Sequence, residues 1–183
     1  MLSLILIGGA AGTGKTSLAG ALATRLGASV VDLDDVTASL VQDYLANHPE
    51  SSEAHALSTL RDERYALLAQ AAAQQSGLTI AVAPFSRELA VAKDWAAWVR
   101  AAGRTDQQCR TLQTTLPARE HLRRLQQRGA ARDAERIALA SLPVTVICDG
   151  SIEVQVVDAS EPVEQLVAAL LPTLTSASPG FGG

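Results

Sequence analysis

Leu2 to Ile7 is a short apolar run interrupted only by Ser3. A run this short with no polar alternation suits a strand buried on both faces, as in a parallel sheet. Glycines crowd the next segment, Gly8 to Gly14, which reads as a loop. Leu18, Leu22 and Leu26 then recur four apart, predicting a helix over Lys15 to Leu26 that Gly27 stops. Ser29 to Asp32 is a second strand. Asp35 to Asn47 has helical spacing, and Asn47-His48-Pro49 breaks it. An Ala-rich helix is expected from about Glu53 to Gln75, closed by Gly77.

The alternation continues to the end of the chain. Leu78 to Ala83 is a third strand, and Ser86 is a suitable cap for a helix through Val91, Trp95 and Val99. Gln108 to Leu112 is a fourth strand. Pro117 suits the first turn of a helix reaching Arg128, with Gly129-Ala130 interrupting and a short helix resuming at Asp133. Val144 to Cys148 and Glu153 to Val157 are β-like runs split by the turn dipeptide Asp149-Gly150. A last helix runs from about Pro162 to Leu174, and Thr175 to Gly183 reads as a disordered tail. Strands alternating with helices mean an α/β protein with a parallel sheet covered on both faces.

Composition changes this picture little. The chain of 183 residues suits one domain, here 1–174, and is poor in aromatics, so Val, Leu, Ile and Ala build the core. A formal charge of −4 gives no reason for nonspecific attraction to nucleic acid or anionic membrane. The N-terminal apolar run is too short for a membrane span or a signal core, so a cytoplasmic protein is expected. Cys109 and Cys148 show no zinc-ligand spacing and read as free thiols in a reducing compartment. Lysine occurs only at Lys15 and Lys93, against thirteen arginines.

One of those two lysines lies in Gly9-Ala10-Ala11-Gly12-Thr13-Gly14-Lys15-Thr16, which matches GxxxxGK[ST] between a predicted strand and a predicted helix. Glycines permit the backbone angles that turn N–H groups inward around phosphate oxygens. The helix start adds its positive dipole end, and Ser17 lies in its first turn. Lys15 would reach the β- and γ-phosphates of ATP, and Thr16 would offer its hydroxyl to Mg²⁺. The second strand ends in Asp32-Leu33-Asp34-Asp35, at the edge where ligands bind in open α/β sheets. On a strand, Asp32 and Asp34 would share a side. One could hold a Mg²⁺ water and the other accept a hydroxyl proton. Capping the next helix is the plainer role for Asp34 or Asp35.

Six arginines fall between Arg119 and Arg136. Arg124, Arg128, Arg132 and Arg136 are four apart and would share a helix face, a row that bound triphosphate would compensate. Glu120, Asp133 and Glu135 could neutralise it instead. No acid follows the third strand, and no NKxD segment occurs.

Together these residues resemble the small P-loop kinases, the group of shikimate kinase, gluconate kinase and the nucleoside monophosphate kinases, with AAA-type ATP-binding proteins beside them. Asp32-Leu33-Asp34 resembles the DxD of shikimate kinase, which implies Asp32 for Mg²⁺ and Asp34 for the acceptor hydroxyl. Arg124-Leu125-Gln126-Gln127-Arg128 resembles the RLxxR that opens the lid of nucleotide kinases, implying adenine stacking by Arg124 and phosphate contact by Arg128. Val156 to Ser160 resembles the loop bordering adenine, which brings in Ala159. The resemblance implies a three-layer fold on a five-stranded parallel sheet in the order 2-3-1-4-5, with an acceptor region at about 36–65 and a lid at about 119–136.

The acceptor half departs from the family. Pro84-Phe85-Ser86-Arg87 stands where shikimate kinase has a glycine run. Arg61, Arg64 and Arg87 are positional candidates for an anionic acceptor. The expected activity is transfer of the γ-phosphate of ATP to a hydroxyl or phosphate of a small molecule, with Lys15, Asp34 and Arg128 as catalytic residues and Arg132 as a further phosphate contact. A regulatory ATPase acting on a protein partner and a polynucleotide kinase are the alternatives. Acidic charge speaks mildly against the latter.

Overall fold

The apolar run at the N-terminus forms β1, Leu4–Gly9, and all six of its residues are buried. Its alternating side chains divide the core in two. Leu4 and Leu6 pack with Val31, Leu68, Phe85, Leu89, Trp98 and Val99 on one face. Ile5 and Ile7 pack with Leu18, Leu22, Ile80, Leu112 and Leu170 on the other. Each fully buried aliphatic side chain contributes about 1.5–3 kcal/mol, so this strand anchors both layers.

The computed structural model describes residues 1–128 and 148–175. Its other strands are β2 Ser29–Asp32, β3 Thr79–Val82, β4 Cys109–Thr115 and β5 Val154–Asp158. All pair in parallel, in the order β2-β3-β1-β4-β5. The order and direction are those the resemblance implied. Helices α1, Lys15–Leu26, and α9, Val163–Thr175, cover one face; α5, Arg61–Ala73, and α7, Ala92–Ala101, cover the other. No described helix is long and apolar enough to cross a membrane. The expected helix at Asp133 and the run Val144 to Ile147 lie outside the described residues, as does the tail beyond Thr175. Cys148 is described, in no strand.

Three expected helices are each divided. Asp32 caps a single turn, α2 Leu33–Val36, by accepting from the Asp34 amide at 3.0 Å. Thr37 then departs from helical geometry before α3, Ala38–Asn47. The Glu53–Gln75 helix splits at Leu60 into α4, Glu53–Thr59, and α5. The helix from Ser86 splits at Val91 into α6, Ser86–Ala90, and α7. There Asp149, 57 residues away, accepts from the Ala92 amide and starts α7 afresh. No local pattern announces that cap. Phe85, not Ser86, occupies the N-cap position of α6, with φ +49°. β4 runs three residues past the expected Leu112 because Gln113, Thr114 and Thr115 are polar but Gln113 and Thr114 are buried.

Candidate active site

The carboxyl ends of the strands open onto a cleft of about 690 Å³. Its floor is the glycine loop. Gly9, Gly12 and Gly14 all take positive φ, at +136°, +79° and +87°. A Cβ on Gly9 would lie 2.2 Å from Thr114 Oγ1 and 2.7 Å from the Thr114 carbonyl, so close packing as well as backbone angle requires glycine. The loop carbonyls are held from outside. Thr114 Oγ1 donates to Gly8 O at 3.0 Å, and Thr13 Oγ1 to Ala10 O at 2.8 Å. Lys15 Nζ also donates to Ala10 O, at 2.8 Å. The Gly9 amide is not turned inward: it donates to Pro84 O at 3.3 Å. Gly9, Ala10 and Thr13 therefore shape the loop from behind, while Ala11, Gly12, Gly14, Lys15, Thr16 and Ser17 line the cleft.

Asp32 and Asp34 both line the cleft, though not as neighbours on one strand face. The strand ends at Asp32 and Asp34 belongs to α2. Thr16 Oγ1 donates to Asp32 Oδ2 at 2.9 Å, joining α1 to the end of β2. The capping role falls to Asp32 and not to Asp34 or Asp35, and it uses the other oxygen, Oδ1.

The three acceptor-side arginines have separate fates. Arg64 is buried, with Nη2 on Asp34 Oδ1 at 2.8 Å and Nε on Thr37 Oγ1 at 2.9 Å. It orients Asp34. Arg61 lies 4.2 Å above the Tyr65 ring and donates to Glu88 Oε2 at 2.9 Å. Burial lowers its guanidinium pKa, but Glu88, by hydrogen bond and charge, outweighs this and the net shift is upward. Arg87 does not line the cleft; it pairs with Asp62 at 3.0 Å on the exposed side of α6. The carboxylates that claim these cations sit 25 to 30 residues away in sequence, so pairing was invisible to spacing.

Helix α8, Ala118–Arg128, closes the nucleotide end. Arg124 lines the cleft, donating to Glu120 Oε1 at 2.9 Å and to the Ala159 carbonyl at 2.8 Å. Ala159 thus enters through its backbone. Arg123 and Arg124 together hold the Glu120 carboxyl down at about 2. The Arg128 side chain and Arg132 lie outside what is described. Two cleft-side residues carried no sequence signal. Tyr65 lines the acceptor half, and its hydroxyl accepts from the Phe85 amide at 3.0 Å. His121 reaches the glycine loop from α8.

A glycine loop between a central strand and a helix, facing an acid at the end of the neighbouring strand, defines a P-loop nucleotide-binding α/β protein. The chain belongs to the AAA domain family AAA_33, whose model matches residues 4–142. No curated protein matches the sequence. Among solved structures, it is similar to a sugar kinase from Janibacter sp. HTCC2649, at 18% identity and TM-score 0.63, covering 97% of this chain and 100% of that one. It is also similar to a gluconokinase from Sinorhizobium meliloti 1021, at 15% identity and TM-score 0.63, covering 94% and 91%. The APS kinase of Mycobacterium tuberculosis, solved with AMPPNP and APS, gives 15% identity and TM-score 0.61 over 96% and 98%. At these identities the likeness establishes a shared fold.

Proposed function

We propose that this protein transfers the γ-phosphoryl group of ATP to a hydroxyl of a small molecule. The observation that carries the reading is the shape of the cleft. It runs on from the glycine loop past Asp34 to Ala54, Leu57, Ser58, Arg61 and Tyr65. Hydrolysis of ATP needs only water at the γ-phosphate, whereas this second half offers a walled space beside a carboxylate. A cytoplasmic location goes with ATP as donor.

Thr16 and Asp32 put two hard oxygen donors at one point, 2.9 Å apart, which fits Mg²⁺. When bound there, the ion would offset charge on the phosphate oxygens. The residues of the chain do the remaining work. Gly12, Gly14 and the start of α1 hold the phosphates by backbone amides. Lys15 adds positive charge where negative charge builds during transfer. Asp34, oriented by Arg64, accepts the acceptor's hydroxyl proton as that oxygen bonds to the γ-phosphorus. The bond from the γ-phosphorus to the bridging oxygen breaks, and ADP leaves. Arg124 packs over the nucleotide, and Arg128 and Arg132 are the further phosphate contacts this reading assigns. The acceptor lies along 36–65, with Arg61 and Tyr65 as its polar wall. Arg64, which also lines the cleft, supports Asp34.

The test is incubation with ATP, Mg²⁺ and a metabolite panel, read by mass spectrometry for a product one phosphoryl group heavier. Asp34→Asn should abolish that product. Slow hydrolysis alone, unchanged in Asp34→Asn, would sink the reading.

A further inference from the structure

His121 is 7% exposed, and its Nε2 lies 2.7 Å from the carbonyl oxygen of Ala11. A carbonyl only accepts, so Nε2 carries the proton and donates it. Nδ1 is buried with no hydrogen-bond partner among the described residues. Leaving a buried polar atom unpaired is unfavourable. Among the described residues the ring's one hydrogen bond is the Nε2 bond to the glycine loop.

Its helical neighbours press on the same loop. A Cβ placed on Gly12 would lie 2.9 Å from Leu125 Cδ2 and 3.8 Å from His121 Cδ2. A Cβ on Gly14 would lie 3.5 Å from Arg124 Nη1. Residues 121, 124 and 125 share one face of α8, because offsets of three and four bring side chains together. Leu125 and Arg124 meet glycines, and His121 grips the loop backbone itself.

The direction of that grip matters. In a trans peptide the C=O and N–H point opposite ways. Drawing the Ala11 carbonyl toward α8 turns the Gly12 amide away from α8. Ala11 and Gly12 both line the cleft. Thr114 and Thr13 restrain the carbonyls of Gly8 and Ala10 in the same way. An anion cradle needs its carbonyls turned out, since they would repel phosphate oxygens.

We infer that His121 is a positioning residue of the phosphate cradle: its Nε2–H holds the Ala11–Gly12 peptide in the orientation that binds a nucleoside triphosphate. This rests on the reading that the loop binds nucleotide phosphate. Calorimetric titration of the full chain with AMPPNP in magnesium chloride separates the two. If the wild type does not bind AMPPNP, the nucleotide reading itself fails. If it binds, His121→Phe and His121→Leu, which fill the space without a donor, should weaken AMPPNP about tenfold, the scale of one hydrogen bond. His121→Gln places an amide N–H at the same bond distance from Cβ and should return affinity to within about threefold of wild type. Donor-less variants that bind like the wild type, or a Gln variant as weak as Phe, overturn the inference. Should these variants not fold, ¹⁵N spectra of the wild-type ring decide. A proton on Nε2, kept when AMPPNP is added, is required; an Nε2 without its proton overturns the proposal.

Discussion

Buried Arg64 donates to Asp34 across 2.8 Å, fixing a half-exposed carboxylate at the meeting point of the cleft's two halves. Its Nε is spent on Thr37 Oγ1, which in turn donates to Leu33 O at 2.6 Å. The chain of bonds locks the turn that carries Asp34 to the helix below it. Arg64→Met breaks both of the arginine's links, and a hydrogen bond to a charged group contributes about 1.5–3 kcal/mol when shielded. Solvent at Asp34 reduces this, so a loss of about 1–2 kcal/mol is expected in urea unfolding. Product formation should fall at least about tenfold with KM for ATP unchanged, because the carboxylate swings while the glycine loop stays.

Lys15 separates chemistry from folding. Its amine meets the loop at Ala10 O, 2.8 Å away, on a half-buried side chain. Lys15→Met keeps the aliphatic stem and removes the charge. Phosphoryl transfer should drop by about 10²–10³, the range for deleting one group that stabilises transition-state charge. Circular dichroism and melting temperature should stay close to wild type.

Much of this was legible in sequence. An apolar run, a glycine loop and repeated strand–helix alternation are local signals. They specified a parallel sheet and the nucleotide floor, and the family resemblance added the strand order. Helix breaks at Thr37 and Val91 were not legible, since the latter depends on Asp149 arriving from a distant segment. Arg61 and Arg64 line the cleft, but the carboxylates facing them lie on other elements. His121 gave no signal, because one histidine on an amphipathic helix looks the same whether it meets solvent, core or a loop carbonyl.

Two glycines make a matched pair for stability. Gly9 has φ +136° and would set a Cβ 2.7 Å from a backbone oxygen. Strain in that region and overpacking each cost about 1–3 kcal/mol, so Gly9→Ala should destabilise by about 3 kcal/mol. The melting temperature should fall by roughly 5–10 °C. Gly20 lies inside α1, exposed, with nothing within 4 Å of an added Cβ. Gly20→Ala should therefore stabilise by about 0.5–1 kcal/mol through helix propensity. Calorimetric melting of both variants checks the opposite signs.

Tyr65 links the acceptor wall to the strained turn after β3. Its hydroxyl accepts from the Phe85 amide, and Phe85 is the one described non-glycine residue with positive φ. Tyr65→Phe leaves that amide buried without a partner, at a cost of about 1–3 kcal/mol. The tyrosine also gives a pH signature. Burial first, and then the charge of Glu88, push its hydroxyl from an ordinary 10 up to about 12. A pKa raised by folding means that the unfolded chain loses its proton first as pH rises. The stability it contributes is thus whole below pH 10 and is lost as pH climbs to about 12. A rise of that size corresponds to about 3 kcal/mol. Cys109, raised by burial from 9 to about 12, adds alkaline sensitivity of the same sign. It is present in both proteins, so the difference between wild type and Tyr65→Phe isolates the tyrosine. Urea midpoints measured from pH 8 to 12 should converge for the two proteins above pH 10. Parallel curves across that window would show that the Tyr65 hydroxyl is not held neutral by the fold.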